Sequence, residues 1–286
     1  MIEIKQLEGI DFKVVYGAFS KAFSDYVEPF DLSYEQLKYM VERRGCDLRL
    51  SFGAFDGNEL VGFTLNGIGK WNGRLTAYDT GTGIIKEYRK QGIASKMFNE
   101  SLPILRENNV EQYLLEVISN NKPAYDLYLK AGFQVTREFD YYISTKDKVS
   151  IKKDKLDGRT IIKEITNPDW DLLKTFWDFE PSWQNTIDSI NRKGGHFKIL
   201  GAFIENVLVG YGIIEKHTGD ITQLAVNKEF KRNGIGSILL KNLFKHSEGN
   251  GVKFINTAVE CNSFKEFAAQ INLLPGIGQY EMTLNL

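Results

Sequence analysis

Sulfur and imidazole are scarce in this chain: two cysteines, three histidines and four methionines in 286 residues. Cys46 and Cys261 lie far apart and form no Cys-x-x-Cys pair. A disulfide framework and a thiolate metal knuckle are thereby excluded, and both are read as reduced, structural thiols. His196, His217 and His246 show no ligand spacing with one another or with cysteine, so no metal site is expected. Long apolar runs are lacking too. No window approaches the roughly 20 residues of a membrane span, and the opening MIEIKQLEGI carries acidic residues without a signal-type apolar core. A soluble, cytoplasmic protein with no membrane partner is expected. Charge of one sign is also absent: 36 basic against 37 acidic residues leave a net charge of −1 and a pI near 6.4. Nucleic-acid binding needs a basic excess to displace phosphate counterions, so no nucleic-acid partner is expected.

What is present suits two cores. The composition is 42% apolar and 13% aromatic, and the length accommodates two domains of about 140 residues each. The chain also repeats itself. Gly53-Ala54-Phe55-Asp56-Gly57-Asn58-Glu59-Leu60-Val61-Gly62-Phe63 returns as Gly201-Ala202-Phe203-Ile204-Glu205-Asn206-Val207-Leu208-Val209-Gly210-Tyr211. Further on, the run from Lys86 to Ser95 answers the run from Lys228 to Ser237. Two matched blocks in the same order, nearly equally separated, indicate a duplication. Each half reads as a β hairpin around a polar turn, then a third strand (Thr76 to Ile85; Ile221 to Val226), then a glycine loop. An apolar-periodic helix follows, with Ile93, Met97, Phe98, Leu102 and Leu105 on one face in the first half. Ile238, Leu239, Leu243 and Phe244 do the same in the second. In the first half come a buried strand YLLEVI, a helix from about Lys122 to Ala131 stopped by Gly132, and strands at 133–135 and 141–143. Each half is mixed α/β. The polar stretch 146–158 reads as a linker between domains at 1–145 and 159–286.

The glycine loops, Arg89-x-x-Gly92-x-Ala94 and Lys231-x-x-Gly234-x-Gly236, lie between a strand and a helix start. The first helical turn leaves backbone N–H groups free and carries the positive dipole end, which suits a phosphate. Small residues allow close approach, and Arg89, Lys90, Lys231 and Arg232 add positive charge. A single such loop could serve helix entry alone; two in the same context point to phosphate. Neither has Gly-x-Gly-x-x-Gly spacing or a closing Gly-Lys-Ser/Thr, which excludes the dinucleotide and P-loop fingerprints.

This pattern resembles the pyrophosphate loop of GCN5-related N-acetyltransferases, most closely in LAVNKEFKRNGIGSILL. The resemblance implies α/β architecture with two tandem acyl-CoA N-acyltransferase domains, and acetyl-CoA as co-substrate. It implies that Arg89, Lys90, Gln91, Gly92, Ile93, Ala94 and Ser95 hold the diphosphate, with Lys231, Arg232, Asn233, Gly234, Ile235 and Gly236 as counterparts. Ile84, Ile85 and Lys86 would pair with the pantetheine arm. A second motif, Asn121-x-x-Ala124-x-x-Leu127-Tyr128-x-Lys130-x-Gly132-Phe133, resembles the family's other acyl-CoA motif in the first half only. There Asn121 caps the helix and reaches the cofactor, and Tyr128 stands beside the thioester sulfur.

Acetyl transfer needs a neutral amine, a stabilised oxyanion and a proton for the departing thiolate. Tyr128 is the candidate acid. Glu116, within an apolar strand, and Asp79, on the strand toward the acceptor pocket, compete as base; either could also be a hydrogen-bonded structural carboxylate, and a water chain could carry the proton. Gly81 and Gly83 would leave strand backbone bare beside the thioester, supplying the oxyanion donor. In the second half Ala268 stands for Tyr128, Asn256 for Glu116, and Asn272-Leu273 for Gly-Phe, so the first half is expected to catalyse. Tyr26, Glu28 and Phe30, in an aromatic and acidic connection, and Trp71, at a hairpin turn, are candidate acceptor contacts. They suggest a small cationic amine, acted on by a monomer or homodimer. Two other readings stand beside this one: a non-catalytic CoA sensor, and an aminoacyl transferase, which needs a basic surface that is not visible.

Overall fold

The computed structural model describes residues 1–25, 31–151 and 160–286. Tyr26, Glu28 and Phe30, together with most of the expected linker, lie outside the described residues. The chain forms two compact units, Met1–Arg137 with Tyr280–Leu286, and Glu138–Gln279. The division falls after Arg137, inside a strand, rather than at 146–158.

Unit 1 carries β1 (Ile2–Gln6), α1 (Phe12–Phe23), α2 (Tyr34–Arg43), β2 (Phe52–Asp56), β3 (Glu59–Trp71), β4 (Arg74–Ile84), α3 (Ile93–Glu107), β5 (Gln112–Ile118) and α4 (Lys122–Lys130). Its helices begin where the sequence supplies caps. Asp11 accepts from the Lys13 amide, and Ser33 and Gln36 close a reciprocal capping box on α2. Val15, Ala18, Phe19 and Ala22 make the buried stripe of α1. Ile93, Met97, Phe98 and Leu105 are buried on α3, as their spacing predicts, and Leu102 is half-buried.

The strands follow in the order β1-β2-β3-β4-β5, with β2, β3 and β4 joined antiparallel by short hairpins. Asn72 and Gly73, both at positive φ (51° and 79°), form the tight β3–β4 turn. β4 and β5 are parallel, and their ladder holds only three pairs, from Thr76↔Gln112 to Tyr78↔Leu114. Beyond Tyr78 the two strands part.

The neighbour of β5 on its other side is β12 (Gln279–Asn285), and the strand next to that is β6 (Gln134–Thr145). The strands expected separately at 133–135 and 141–143 are therefore one continuous strand. β12 is held in unit 1 by Glu281, which is 3% exposed and takes two hydrogen bonds from the Arg137 guanidinium at 2.8 and 2.6 Å. Thr136 adds a third at 3.0 Å.

Unit 2 carries β7 (Ile161–Glu164), α5 (Trp170–Lys174), α6 (Ile187–Arg192), β8 (Phe197–Ile204), β9 (Val207–Glu215), β10 (Ile221–Val226), α7 (Ile235–Leu243), β11 (Gly251–Ala258) and α8 (Asn262–Gln270). Its four-stranded sheet runs β10-β9-β8-β7, all antiparallel. β11 pairs instead with the later part of β6. The separation that begins beyond Tyr78 in unit 1 is thus nearly complete in unit 2, where, among the described residues, β10 and β11 share no ladder and only an isolated parallel bridge joins Asp220 to Lys253. Ile235, Leu239, Leu240 and Leu243 of α7 pack into a core with Val209, Ile214, Val252 and Phe254, each such burial contributing about 2 kcal/mol.

Candidate active site

The two glycine loops have the same backbone. Gly92 and Gly234 cap α3 and α7 in the left-handed region, at φ of 76° and 78°. Two residues earlier Lys90 and Arg232 are also left-handed, at 62° and 65°. Left-handed residues at such a junction are a backbone form in which amides can converge on an anion. The first helical bonds run from Lys96 to the Gly92 carbonyl and from Ile238 to the Gly234 carbonyl. The amides before them, from Ile93 to Ser95 and from Ile235 to Ser237, therefore have no acceptor within their own helix. A Cβ on Gly92 would meet nothing within 4 Å, so the space above the loop is open.

The charged side chains of the loops are placed differently from expectation. Arg89 does not extend over the loop. It forks onto Asp25 at 3.0 and 2.7 Å and donates to the carbonyls of Ala22 and Ile84. Its hydrogen bonds, and then its charge, hold the Asp25 carboxyl below the usual range. Lys231 pairs in the same way with Asp178, which also accepts from Ser263. Both acids close a Phe-x-Asp triplet, Phe23-Ser24-Asp25 and Phe176-Trp177-Asp178. These triplets are a third repeated block, too short to stand out before the pairing of each acid with its loop is seen. Lys90 is exposed, and Arg232 pairs with Glu266.

The residues expected to pair with an extended ligand are partly engaged already. Ile84 accepts from Arg89, Ile85 bonds Val61 and Tyr88, and the Lys86 carbonyl accepts from the Arg89 amide. The β4 edge without a β5 partner begins earlier, after Tyr78, and runs on to Ile84.

At that point the sheet carries a bulge. Asn66 pairs with Asp79 and Leu65 with Gly81, so Thr80 is an extra residue on β4. The Arg44 guanidinium donates to its carbonyl at 3.0 Å. A bulge shifts the strand's alternation by one residue, which brings Asp79 and Thr82 onto the same face. The Thr82 hydroxyl donates to Asp79 Oδ2 at 2.8 Å, and the Tyr128 hydroxyl, from α4, reaches the same oxygen at 3.3 Å. Thr82 also bonds Thr64, and Tyr113 links Thr64 to Asn66. Tyr128 is set by edge-on packing against Phe98 and Phe133. Oδ1 of Asp79 is buried with no hydrogen-bond partner among the described residues. Burial pushes the Asp79 carboxyl up from 3.8 to about 6, against the opposing pull of Thr82 and Tyr128.

Glu116 lies apart from this group. It accepts a 2.8 Å hydrogen bond from Tyr78, the neighbour of Asp79 on β4 and hence on the opposite face. The two carboxylates that compete as base therefore occupy different sides of the sheet. Trp71 ends β3, paired with Arg74 at the far end of β4 from the glycine loop, and is buried with the Arg137 guanidinium 5.2 Å above its ring. Asn121 caps α4, accepting from the Ala124 amide at 3.3 Å. Gly83 is needed for packing rather than for bare backbone: a Cβ there would fall 2.8 Å from Phe63 and 3.1 Å from Ala22. The small residue lets α1 seat on the strand.

In unit 2 the gap between β10 and β11 opens into a cavity of about 740 Å³, lined by Leu224, Val226, Gly234, Gly236, Asn256 and Phe264 among others. Ala268, fully buried, stands where Tyr128 stands in α4. Asn256, at φ 60°, donates to Ser182 Oγ at 3.1 Å. Asn272 takes over the left-handed helix stop that Gly132 provides in unit 1.

Parted parallel strands with a glycine loop at the following helix, built twice, define an acyl-CoA transferase fold. The chain belongs to the acetyltransferase (GNAT) family, whose profile matches residues 15–133 and 161–266. Among curated proteins it is 31% identical over 99 residues to N-alpha-acetyltransferase 30 of Schizosaccharomyces pombe, covering 34% of this chain and 66% of that one. It is 30% identical over 105 residues to N-alpha-acetyltransferase MAK3 of Arabidopsis thaliana, covering 36% and 55%. The matches thus span less than two thirds of either relative. A tandem GNAT protein from the clavulanic acid biosynthesis pathway superposes with a TM-score of 0.74 at 14% identity, over 100% of this chain and 98% of that one. A putative acetyltransferase from Pyrococcus horikoshii gives 0.68 at 18% identity, over 100% and 89%. At these identities the likeness is one of fold.

Proposed function

We propose that unit 1 transfers an acetyl group from acetyl-CoA to a primary amine, with Asp79 as base and Tyr128 as acid. The observation that supports this is the Tyr128–Asp79 hydrogen bond at the place where β4 loses its β5 partner. A carboxylate titrating near 6 is ionised at neutral pH and basic enough to take a proton from the attacking ammonium-like nitrogen. Tyr128 gives its phenolic proton to the departing thiolate, and the proton held on Asp79 then returns to the phenolate. The circuit closes with an amide and a thiol as products and both side chains restored. A β4 amide facing the gap serves as oxyanion donor. Glu116, tied to Tyr78 on the other face, has a structural part in this reading.

Unit 2 is proposed to bind acyl-CoA without chemistry, since its loop and cavity are formed but Ala268 carries no acid. Both curated relatives are named for acetylation of α-amines, which puts a peptide N-terminus beside a small amine as acceptor. The test is a thiol-release assay with small amines and short peptides bearing free N-termini, comparing wild type with Tyr128→Phe and Asp79→Asn. The expected loss is about a hundredfold in kcat for each, with acetyl-CoA affinity retained. An unchanged rate in either variant removes that residue from the mechanism. Binding of acetyl-CoA with no turnover of any amine would favour the CoA-sensing alternative.

A further inference from the structure

At the opposite end of the unit 2 sheet from the glycine loop, two of the chain's three histidines come together. His196 closes a 3₁₀ turn just before β8, Glu215 ends β9, and His217 lies two residues beyond it. One ring nitrogen of each imidazole and one oxygen of Glu215 all lie within 4.8 Å of one another. From this we infer that unit 2 carries a site for a divalent transition ion of the zinc class, held by His196, Glu215 and His217.

The chemistry of the donor set is specific. Two imidazoles and a carboxylate match borderline ions such as Zn²⁺ and Co²⁺, rather than Ca²⁺ or Mg²⁺, which take oxygen donors. The carboxylate is built in. Glu215 is 1% exposed, an expensive place for a charge, and one of its oxygens is fixed by the Thr218 amide and hydroxyl at 2.6 and 2.5 Å. Its other oxygen faces the His196 ring, 3.9 Å from Nδ1. That separation exceeds a hydrogen bond and is close to the roughly 3.0–3.5 Å between two ligands on an ion with bonds of about 2.1 Å. Rotation of the two imidazoles, which are 40% and 53% exposed, closes the remainder.

The second histidine has the outer support that metal-bound imidazoles need. Glu248 sits 2.5 Å from His217 Nδ1. With the proton on Nδ1 donated to that carboxylate, Nε2 keeps its lone pair for an ion. Glu215 ends β9, and the turn that follows, closed by the Gly219 amide on the Glu215 carbonyl at 3.0 Å, carries His217. The third ligand comes from 19 residues earlier than Glu215 and is delivered only by the pairing of β8 with β9, Phe197↔Glu215. That is why spacing alone gave no metal signature. β9 runs from the loop end, where Asn227 bonds Val209, to this cluster at its other end, so the ion is a structural clamp remote from acyl transfer.

The test uses chelator-stripped, tag-free full-length protein titrated with Co²⁺ and then Zn²⁺. The expected result is one Co²⁺ per chain with visible ligand-field absorption, displacement of that absorption by Zn²⁺, and a higher thermal midpoint with Zn²⁺ present. His196→Ala and His217→Ala, both on exposed side chains, should each weaken uptake at least tenfold, while His246→Ala should not. Acetyl-CoA binding should be the same in all three, showing that they fold. Absence of uptake by wild type at 50-fold molar excess, or equal uptake in the His196→Ala, His217→Ala double variant, overturns the assignment.

Discussion

Replacing Asp79 by asparagine should stabilise the protein in a pH-dependent way. The carboxyl titrates at 3.8 in ordinary surroundings and at about 6 in the fold, with burial as the leading cause. The displacement is about two pH units, each worth about 1.4 kcal/mol, so ionised Asp79 costs the folded state about 3 kcal/mol. The sign follows from the direction of the shift. Below about pH 4 the group is protonated in both folded and unfolded chains, and no penalty exists. The penalty grows between pH 4 and 6 and is complete above 6. Asparagine keeps the shape and an acceptor for Thr82 and Tyr128, but places an amide where Oδ1 stands. That change contributes a constant term that pH does not alter. The informative quantity is therefore the pH dependence of the difference. In urea unfolding from pH 4 to 7.5, the variant should gain about 3 kcal/mol relative to wild type as pH rises. Over the same range, wild-type kcat/KM should climb along a limb centred near pH 6. A stability difference that stays flat with pH would mean that Asp79 is not a strained, buried carboxylate, and the argument for it as base would fail with it.

Three further outcomes follow from the geometry. Gly92→Ala and Gly234→Ala place a side chain at φ near 77°, costing about 1–2 kcal/mol locally. Each should abolish one of two acetyl-CoA binding events in calorimetry while leaving the other. Glu281→Ala removes a 3%-exposed partner of Arg137 and should lower stability by about 3 kcal/mol or more, read as a lower urea midpoint with early proteolysis after residue 279. Cys46 is half-buried, and desolvation pushes its thiol up to about 11; it should alkylate slowly at pH 8 in the native protein and faster in denaturant, and native labelling as fast as denatured labelling would contradict the raised thiol.

Much of the architecture was readable because it is local. The duplication, the hairpin turns, the caps at Asn121 and the apolar face of α3 each depend on residues within one or two turns of chain. The glycine loops were legible for the same reason, since a left-handed residue at a helix start is a short-range demand. What escaped was non-local or depended on register. Whether Glu116 or Asp79 joins Tyr128 turns on one extra residue at Thr80, which no composition rule locates. Arg89 looked like a phosphate ligand because its nearest acid, Asp25, is 64 residues away in sequence. Gly83 reads as a catalytic opening in sequence because the helix that needs its missing side chain, α1, is distant along the chain. The identity of the strand beside β5 was hidden most thoroughly, because its sequence, QYEMTLN, fits any half-buried strand equally well.

That last arrangement bears on how the polypeptide can be made. Residues 280–286 leave the ribosome only after all of residues 138–279, yet they fill a slot beside a strand synthesised some 160 residues earlier. The amino-terminal half must therefore wait, with one edge of its sheet unfilled, through the manufacture of the second half. An early stop codon or a gene split at mid-chain would deprive that half of a strand it does not encode. Expression of that half alone should yield aggregate unless the heptapeptide is supplied or stitched on after α4.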